Sequence, residues 1–120
     1  MRTHARAVVV GGGVVGVSTL YHLVKKGWTD SVLIERKELT SGSTWHAAGN
    51  VPTFSGSRSI MRMQHYSTEL YARLAADPAY PIAYHQTGSI RLAQGAERLR
   101  EFRHVAGMAQ GIGLGYEILD

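Results

Sequence analysis

Apolar residues open the chain in two short, continuous runs with a helical stretch between them. Residues 6–10 read RAVVV and residues 31–35 read SVLIE, and such β-branched runs are typical of strands covered on both faces. Residues 14–26 carry apolar side chains at helical spacing and end on two lysines before Gly27, a helix stop signal. The pattern predicts a βαβ unit with parallel strands and a right-handed crossover.

The second half of the chain has helical periodicity in two places. Residues 57–76 keep apolar positions at helical spacing until Asp77 and Pro78 end the pattern, and residues 97–110 return to it. The sequence therefore predicts a helix in each of these two segments.

Two shorter segments are strand-like. Residues 81–93, PIAYHQTGSIRLA, predict two short strands around a turn at Thr87 and Gly88, and YEIL at 116–119 is consistent with the beginning of another strand. The predicted fold class is α/β, with a Rossmann-like βαβ unit followed by the beginning of a mixed α+β domain.

Three glycines between the first strand and the first helix form a GxGxxG pattern. In such a unit Gly11 permits the tight turn, Gly13 lets the backbone approach a pyrophosphate, and Gly16 lets the helix pack against the strand. The helix N-terminus offers unpaired amides and a positive dipole end, so Val14 and Val15 are predicted to donate to phosphate.

Glu35 stands at the carboxyl end of the second predicted strand. A carboxylate there can accept both hydroxyls of an adenosine ribose and would repel the 2′-phosphate of NADP. The order of elements, a strand, the glycines, a helix, a second strand and the acid, predicts dinucleotide binding. The alternative is a glycine-rich turn that binds no ligand. The pattern is common to FAD and NAD sites.

The charge distribution and the absence of cysteine argue against several classes of function. The net charge is +4, but the basic residues are scattered. Arg98, Arg100 and Arg103 alternate with glutamates, which indicates a solvated helix face rather than a nucleic-acid surface. The chain has no cysteine, which excludes a disulfide framework and a thiolate metal site and is compatible with a reducing compartment.

The histidines and the lengths of the apolar runs bear on metal and membrane binding. His65 and His85, with Tyr66 and Tyr84, could line a substrate cavity, but packing or surface positions are favoured and no metal-ligand spacing links them. No metal site is predicted. No run has transmembrane length and no secretory signal precedes the first strand, so a soluble cytoplasmic protein with no membrane or nucleic-acid partner is expected.

The stretch TSGSTWHAAG at 40–49 is too small and polar for a core strand, yet it carries a tryptophan and a histidine. With the residues before it, ERKELTSGSTWHAAG resembles the motif of the dimethylglycine and sarcosine dehydrogenase family, FAD-dependent oxidoreductases of the D-amino-acid-oxidase-like type. The similarity extends over residues 7 to about 105 and includes YSTELYARL and YHQTGSIRLA.

The resemblance implies that FAD is the cofactor and that His46 is bonded covalently to the 8α-methyl group of the flavin. It also implies that Arg36 lies near the adenosine. Asn50 replaces the apolar residue expected there, which bears on the lining of the flavin pocket. The predicted cofactor residues are Gly11, Gly13, Val14, Val15, Gly16, Glu35, Arg36, Gly42, Ser43, Thr44, Trp45, His46, Ala47, Ala48, Gly49 and Asn50.

The residue types of the motif suit that role. Bond formation requires a neutral imidazole nitrogen aimed at the methyl carbon. Small residues at 47–49 let the backbone lie against the flavin edge, and the hydroxyls of Ser43 and Thr44 can bind phosphate or ribitol oxygens. Outside this motif, a loop histidine that forms only local hydrogen bonds would be the preferred interpretation of His46.

The resemblance also implies a reaction. The flavin would accept a hydride from the N-methyl carbon of dimethylglycine, sarcosine or another N-methyl amine. Hydrolysis then gives formaldehyde, whereas capture by tetrahydrofolate gives a one-carbon unit. Family members carry a folate-binding part resembling the glycine-cleavage T-protein, which is absent from these 120 residues. No catalytic residue is assigned, and the electron acceptor is not specified.

The expected arrangement is therefore the N-terminal part of a larger enzyme, inactive alone. Residues 1–80 are predicted to form the FAD-binding region and residues 81–120 the beginning of a substrate domain. Two alternatives stay open. An NAD-dependent Rossmann dehydrogenase explains the glycines and Glu35 but not GSTWHAAG, and a non-enzymatic regulatory relative would keep the fold without turnover.

Overall fold

The computed structural model describes residues 3–119, which divide into two compact units. Residues 1–50 form the first unit and residues 51–120 the second. The boundary predicted at residue 80 concerns the cofactor and substrate regions of a whole protein, and it stays a prediction.

The first unit is the predicted βαβ unit. Strand β1 (Ala7–Val10), helix α1 (Val14–Lys25) and strand β2 (Ser31–Ile34) follow one another, and the two strands pair in parallel. The register places Ala7 opposite Ser31 and Val10 opposite Ile34. The observed bounds lie within one residue of the predicted ones.

Helix α1 covers one face of this sheet, and the other face is exposed. Val9 lies on the side of α1, since its side chain approaches Gly16 of that helix. Val8 and Ile34 are exposed, and Val10 is 83% exposed. No residue of α1 is fully buried. One layer of helix against a sheet with an uncovered apolar face is the arrangement of an incomplete α/β domain.

The second unit is helical. Helix α2 (Arg58–Ala75) and helix α3 (Ala96–Gln110) pack through a core of Met61, Val105 and Ala109. Around it lie Phe54, Met108, Ile112, Leu114 and Tyr116, which are partly buried. The ring of Phe54 meets that of Phe102 edge-on, with centroids 5.7 Å apart, a preferred aromatic geometry. Both helix predictions are confirmed.

The predicted strands around Thr87 and Gly88 are wrong. Residues 81–94 form no strand in the part of the chain that the structure describes. Gly88 does adopt a positive φ of 72°, but the segments on either side do not pair, and Ile90 and Leu92 are 86% and 84% exposed. A strand is stable only when its backbone groups are bonded to a neighbour. Residues 116–119 are likewise not a strand, and Tyr116 packs on the helical core instead.

Within residues 3–119, no helix combines the length and the apolar character that crossing a membrane requires.

Candidate cofactor site

The glycine turn joins β1 to α1 in the conformation that the motif predicts. Gly11 has a φ of +105°, which is accessible to glycine but strained for other residues. Its amide donates to the carbonyl oxygen of Ile34 at 2.8 Å, so the pairing with β2 continues into the turn. A Cβ on Gly16 would collide with the carbonyl oxygen of Gly11. The absence of a side chain there allows α1 to lie close against the turn.

Helix α1 begins without any side-chain cap of its own. Its N-cap is Gly13, and the first turn contains no acidic residue. A helix leaves the amides of its first turn without intrahelical acceptors, and these carry the positive end of the helix dipole. The arrangement suits an anion at this end of α1.

One of these amides is bonded by a residue from the loop that follows β2. The amide of Val14 donates to Thr44 Oγ1 at 2.9 Å. Thr44 Oγ1 also lies 3.1 Å from the position that a Cβ on Gly13 would occupy, so Gly13 leaves room for it. The sequence predicted that Val14 donates to phosphate; in the structure its amide donates to Thr44, and the phosphate role stays a prediction.

Glu35, at the end of β2, is bonded to the glycine turn. Its Oε2 accepts the amide of Gly12 at 2.7 Å, and its Oε1 accepts the amide of Lys37 at 2.9 Å. These two hydrogen bonds, the one from Gly12 foremost, lower the pKa of the Glu35 carboxyl, because they stabilise its charged form. A carboxylate has about four lone-pair positions, so Glu35 keeps acceptors for ribose hydroxyls.

Gly12 is a residue that sequence reasoning missed. It is buried, its amide binds Glu35, and its carbonyl accepts the amide of Thr40 at 2.9 Å. A Cβ there would lie 2.5 Å from Leu39 Cδ2. The run of three glycines was the available signal, since GxGxxG does not require a glycine in the second position.

Thr40 links the glycine turn to the histidine-bearing loop. Its amide donates to Gly12, and its carbonyl accepts the amide of Trp45 at 3.0 Å. Its φ is +65°, a rare conformation for a β-branched residue. The hydrogen bonds to Gly12 and Trp45, on either side of the residue, hold it there.

His46 lies in the turn that Thr40 opens. Its Nδ1 is 3.0 Å from the carbonyl oxygen of Gly42, and since a carbonyl only accepts, Nδ1 carries the hydrogen and Nε2 of the neutral ring keeps its lone pair. The amide of His46 donates to Ser43 O at 3.2 Å. The side chain is exposed, as is that of Trp45, at 78%.

The remaining predicted loop residues surround this turn. Ala47 donates its amide to Thr44 O at 3.3 Å, and Gly49 has a positive φ of 72°. The side chains of Arg36 and Asn50 are exposed. The glycine turn, Glu35 and the loop thus lie together in the unit of residues 1–50. Their donors and acceptors are of the kinds that bind the diphosphate and ribose of a dinucleotide.

The other predicted candidates lie in the second unit. His65 and Tyr66 line a groove of about 430 Å³ along α2, together with Arg58, Arg62, Glu69, Gly111 and Ile112. His65 Nε2 is 3.5 Å from Glu69 Oε1. Tyr84 stacks at a tilt on Tyr71, with ring centroids 5.8 Å apart. Within residues 3–119, no group of three or more His, Asp or Glu side chains is arranged to hold a metal ion.

The sequence matches a known family over nearly its whole length. Residues 6–120 match the family described as FAD dependent oxidoreductase. The chain belongs to this family. Membership confirms the α/β fold class and favours FAD over the NAD alternative.

The relatives of this chain carry different names. The chain is 46% identical over 103 residues to mitochondrial dimethylglycine dehydrogenase of Rattus norvegicus, covering 86% of this chain and 12% of the relative. Human mitochondrial sarcosine dehydrogenase is 33% identical to this chain. The match covers 96% of this chain and 13% of the dehydrogenase. The mitochondrial pyruvate dehydrogenase phosphatase regulatory subunit of Mus musculus is 38% identical over the same shares.

The chain therefore spans about an eighth of the length of the curated relatives it matches. The resemblance to dimethylglycine and sarcosine dehydrogenases is confirmed.

Proposed function

We propose that this chain binds FAD for an oxidoreductase that oxidises N-methyl amines, with dimethylglycine and sarcosine as the candidate substrates. The hydrogen bond between Thr44 and Val14 carries the proposal. It holds the GSTWHAAG loop on the helix end where a dinucleotide's phosphates bind. The names of the dimethylglycine and sarcosine dehydrogenases support the substrate class.

The residues of the glycine turn would hold the diphosphate of FAD. The amides at the beginning of α1 supply donors and a positive dipole end. The Thr44 hydroxyl accepts from Val14 and keeps its own hydrogen to donate. Glu35 would accept the ribose hydroxyls with the lone pairs that Gly12 and Lys37 leave open.

We further propose that His46 carries the covalent bond to the flavin. The hydrogen bond from Nδ1 to Gly42 fixes the tautomer in which Nε2 has the lone pair. Nε2 is thus the nitrogen that would form the bond. Exposure of the imidazole leaves this nitrogen accessible.

Bound FAD would accept a hydride from the N-methyl carbon of the amine. The glycine turn, Glu35 and the loop of residues 40–49 would hold and orient the cofactor for that step. The groups that bind the amine, the electron acceptor and tetrahydrofolate are proposed to lie outside these 120 residues. Loss of the hydride would leave an iminium ion on the amine, and addition of water would release formaldehyde and the demethylated amine. Where tetrahydrofolate is bound, the one-carbon unit would be transferred to it instead of being released as formaldehyde.

A regulatory protein is the second candidate function. The 38% identity to a pyruvate dehydrogenase phosphatase regulatory subunit favours it. Anaerobic addition of dimethylglycine or sarcosine to a flavin-loaded whole protein, with the proposed amine-binding groups included, separates the two. An oxidoreductase loses its yellow flavin absorbance, whereas a regulatory protein that binds FAD without turnover keeps it with either amine.

The covalent bond is tested by replacing His46 with Ala. After acid precipitation, the wild-type pellet is expected to stay yellow and the His46→Ala pellet to be colourless. His104→Ala is the matched control, since His104 is an exposed histidine on α3 in the other unit, and its pellet should stay yellow. Acid-stable flavin in His46→Ala would show that another residue holds the cofactor.

The cytoplasmic location expected from the sequence stays a prediction. All three relatives are named mitochondrial in their own organisms. Fractionation of the source cells, with an antibody to the protein, tests the location.

A further inference from the structure

The first turn of α1 is capped by a residue 30 positions away. Its own N-cap, Gly13, has no side chain and makes no capping hydrogen bond. Thr44 supplies the missing acceptor, with its Oγ1 2.9 Å from the amide of Val14. A side chain on Gly13 would crowd this hydroxyl, because its Cβ would lie 3.1 Å away. Glycine at the N-cap and threonine in the loop are thus complementary.

A second link ties the same loop to the same turn. The amide of Thr40 donates to Gly12 O at 2.9 Å. Residues 40 and 44 are therefore both bonded to the glycine turn, and the short segment between them is held at each end. The carbonyl of Thr40 also accepts the amide of Trp45 at 3.0 Å.

His46 follows this doubly held segment directly. Its amide bonds Ser43 O, and its ring bonds Gly42 O. Both acceptors lie between the two anchored threonines. The position of the imidazole is thus determined by hydrogen bonds that begin at the glycine turn and involve only this chain.

We propose that Thr44 is a positioning residue for His46. By capping α1, its hydroxyl holds the loop on the glycine turn before the cofactor arrives, so the imidazole is already in place when the diphosphate binds. The inference rests on the proposed covalent bond between His46 and the flavin. Prior positioning matters because bond formation is fast only when the reacting atoms are held in a suitable geometry.

Hydrogen exchange of the protein prepared without flavin tests the positioning directly. Thr44→Val removes the hydroxyl and keeps the shape of the side chain. The amides of Val14, Trp45 and His46 are expected to exchange about fivefold faster or more, as the loss of a helix cap implies. Thr44→Ser restores the hydroxyl and should exchange within about twofold of wild type.

Thr19→Val is the matched control. It makes the same change in α1, where the Thr19 hydroxyl bonds only Val15 O of its own helix, at 2.8 Å. Exchange at Trp45 and His46 should stay at the wild-type rate. The proposal is overturned if the loop amides of Thr44→Val exchange no faster than those of wild type. It is also overturned if the loop amides of Thr44→Ser exchange as fast as those of Thr44→Val.

Covalent attachment gives the second readout. Each flavin-free protein is mixed with saturating FAD, so that weaker binding does not limit the rate, and acid-stable flavin is measured over time. Thr44→Val should attach flavin about fivefold more slowly or worse, and Thr44→Ser and Thr19→Val at the wild-type rate. Equal rates for Thr44→Val and wild type would refute the positioning role.

The two readouts separate failure of this inference from failure of the proposed function. If the wild-type protein never forms acid-stable flavin, the proposed covalent bond is wrong, and Thr44 cannot position His46 for it. The exchange rates would then still decide whether Thr44 holds the loop on α1.

Discussion

The carbonyl oxygen of Gly11 occupies the space into which a side chain on Gly16 would project. Because Gly16 has no side chain, α1 lies close to the end of β1, and the N-terminus of the helix lies beside the glycine turn. A methyl group at Gly16 meets backbone rather than a flexible side chain, so the clash is relieved only by moving the helix.

Gly16→Ala is therefore expected to destabilise residues 1–50 by about 1–3 kcal/mol or more and to weaken FAD binding. Both tryptophans, Trp28 and Trp45, lie in this unit, so urea unfolding followed by tryptophan fluorescence reports on it. Gly107→Ala is the control. Gly107 lies within α3 in the other unit, with open space where a Cβ would stand, so alanine there should leave the tryptophan-monitored unfolding midpoint at the wild-type value. Equal unfolding midpoints for Gly16→Ala and wild type would contradict the packing argument.

The hydrogen bonds of Glu35 predict a pH dependence. Because its pKa is lowered in the folded protein, the carboxylate contributes stability above its ordinary value of 4.5, and this is lost as the pH falls through the folded pKa. Glu35→Gln should be less stable than wild type at about pH 7, and the difference should shrink below about pH 4.5. Urea unfolding by tryptophan fluorescence across this range measures it.

Glu38→Gln is the matched control for Glu35. Glu38 is an exposed glutamate in the same unit, and only its backbone carbonyl is engaged, by the amide of Ser41. Glu38→Gln should be as stable as wild type at about pH 7, because surface substitutions away from specific contacts change stability by about 0.5 kcal/mol or less. A difference between Glu35→Gln and wild type that stays constant from about pH 7 to about pH 3 would mean that the charge of Glu35 does not stabilise the turn.

The sequence predicted the βαβ unit closely because its signals are local. A β-branched run, glycines with a positive φ and a helix with a glycine stop each depend on neighbouring residues. The predicted strands around Gly88 failed because a strand requires a partner, and pairing is not a local property. The two helices of residues 51–120 were predicted correctly because helical spacing of apolar residues is also a local signal. The buried face of α2 was not predicted, since Ile60 and Met63 are exposed whereas Met61 and Thr68 are buried.

The sequence named most residues of the candidate site, though not Gly12, and did not predict the hydrogen bonds among them; their roles toward the cofactor stay predictions. The motifs placed Val14, Glu35 and Thr44 in one site, each with a role toward the cofactor. The structure bonds Glu35 to Gly12 and Thr44 to Val14. These contacts join residues more than 20 positions apart, and a single sequence contains no periodicity that reports them.

Gly12 and Leu39 offer a test of coupling between the glycine turn and the loop. Gly12→Ala places a methyl group 2.5 Å from Leu39 Cδ2 and 3.1 Å from Glu35 Cβ. Leu39 is exposed and can move, so the cost should be about 1–3 kcal/mol. Leu39→Ala removes the first of these clashes.

The free energy of unfolding of the double variant Gly12→Ala, Leu39→Ala is expected to exceed the value calculated by adding the two single effects. The expected excess is about 0.5 kcal/mol or more. Urea unfolding of the four proteins by tryptophan fluorescence measures this coupling. Additive effects would show that Leu39 does not limit the space at Gly12, and that Glu35 and the backbone set it instead.

The helical unit is expected to depend on Met61 far more than on Met63. Met61 is fully buried between α2 and α3, whereas Met63, two residues later on α2, is 59% exposed. Truncating a buried methionine removes apolar contacts and leaves a cavity, which costs about 2–5 kcal/mol, while the same change at an exposed position costs about 0.5 kcal/mol or less. Met61→Ala should therefore accelerate hydrogen exchange throughout α2 and α3, because the core that it shares with Val105 and Ala109 joins the two helices. Met63→Ala should leave exchange close to wild type, and equal effects of the two variants would mean that this core does not hold α2 against α3.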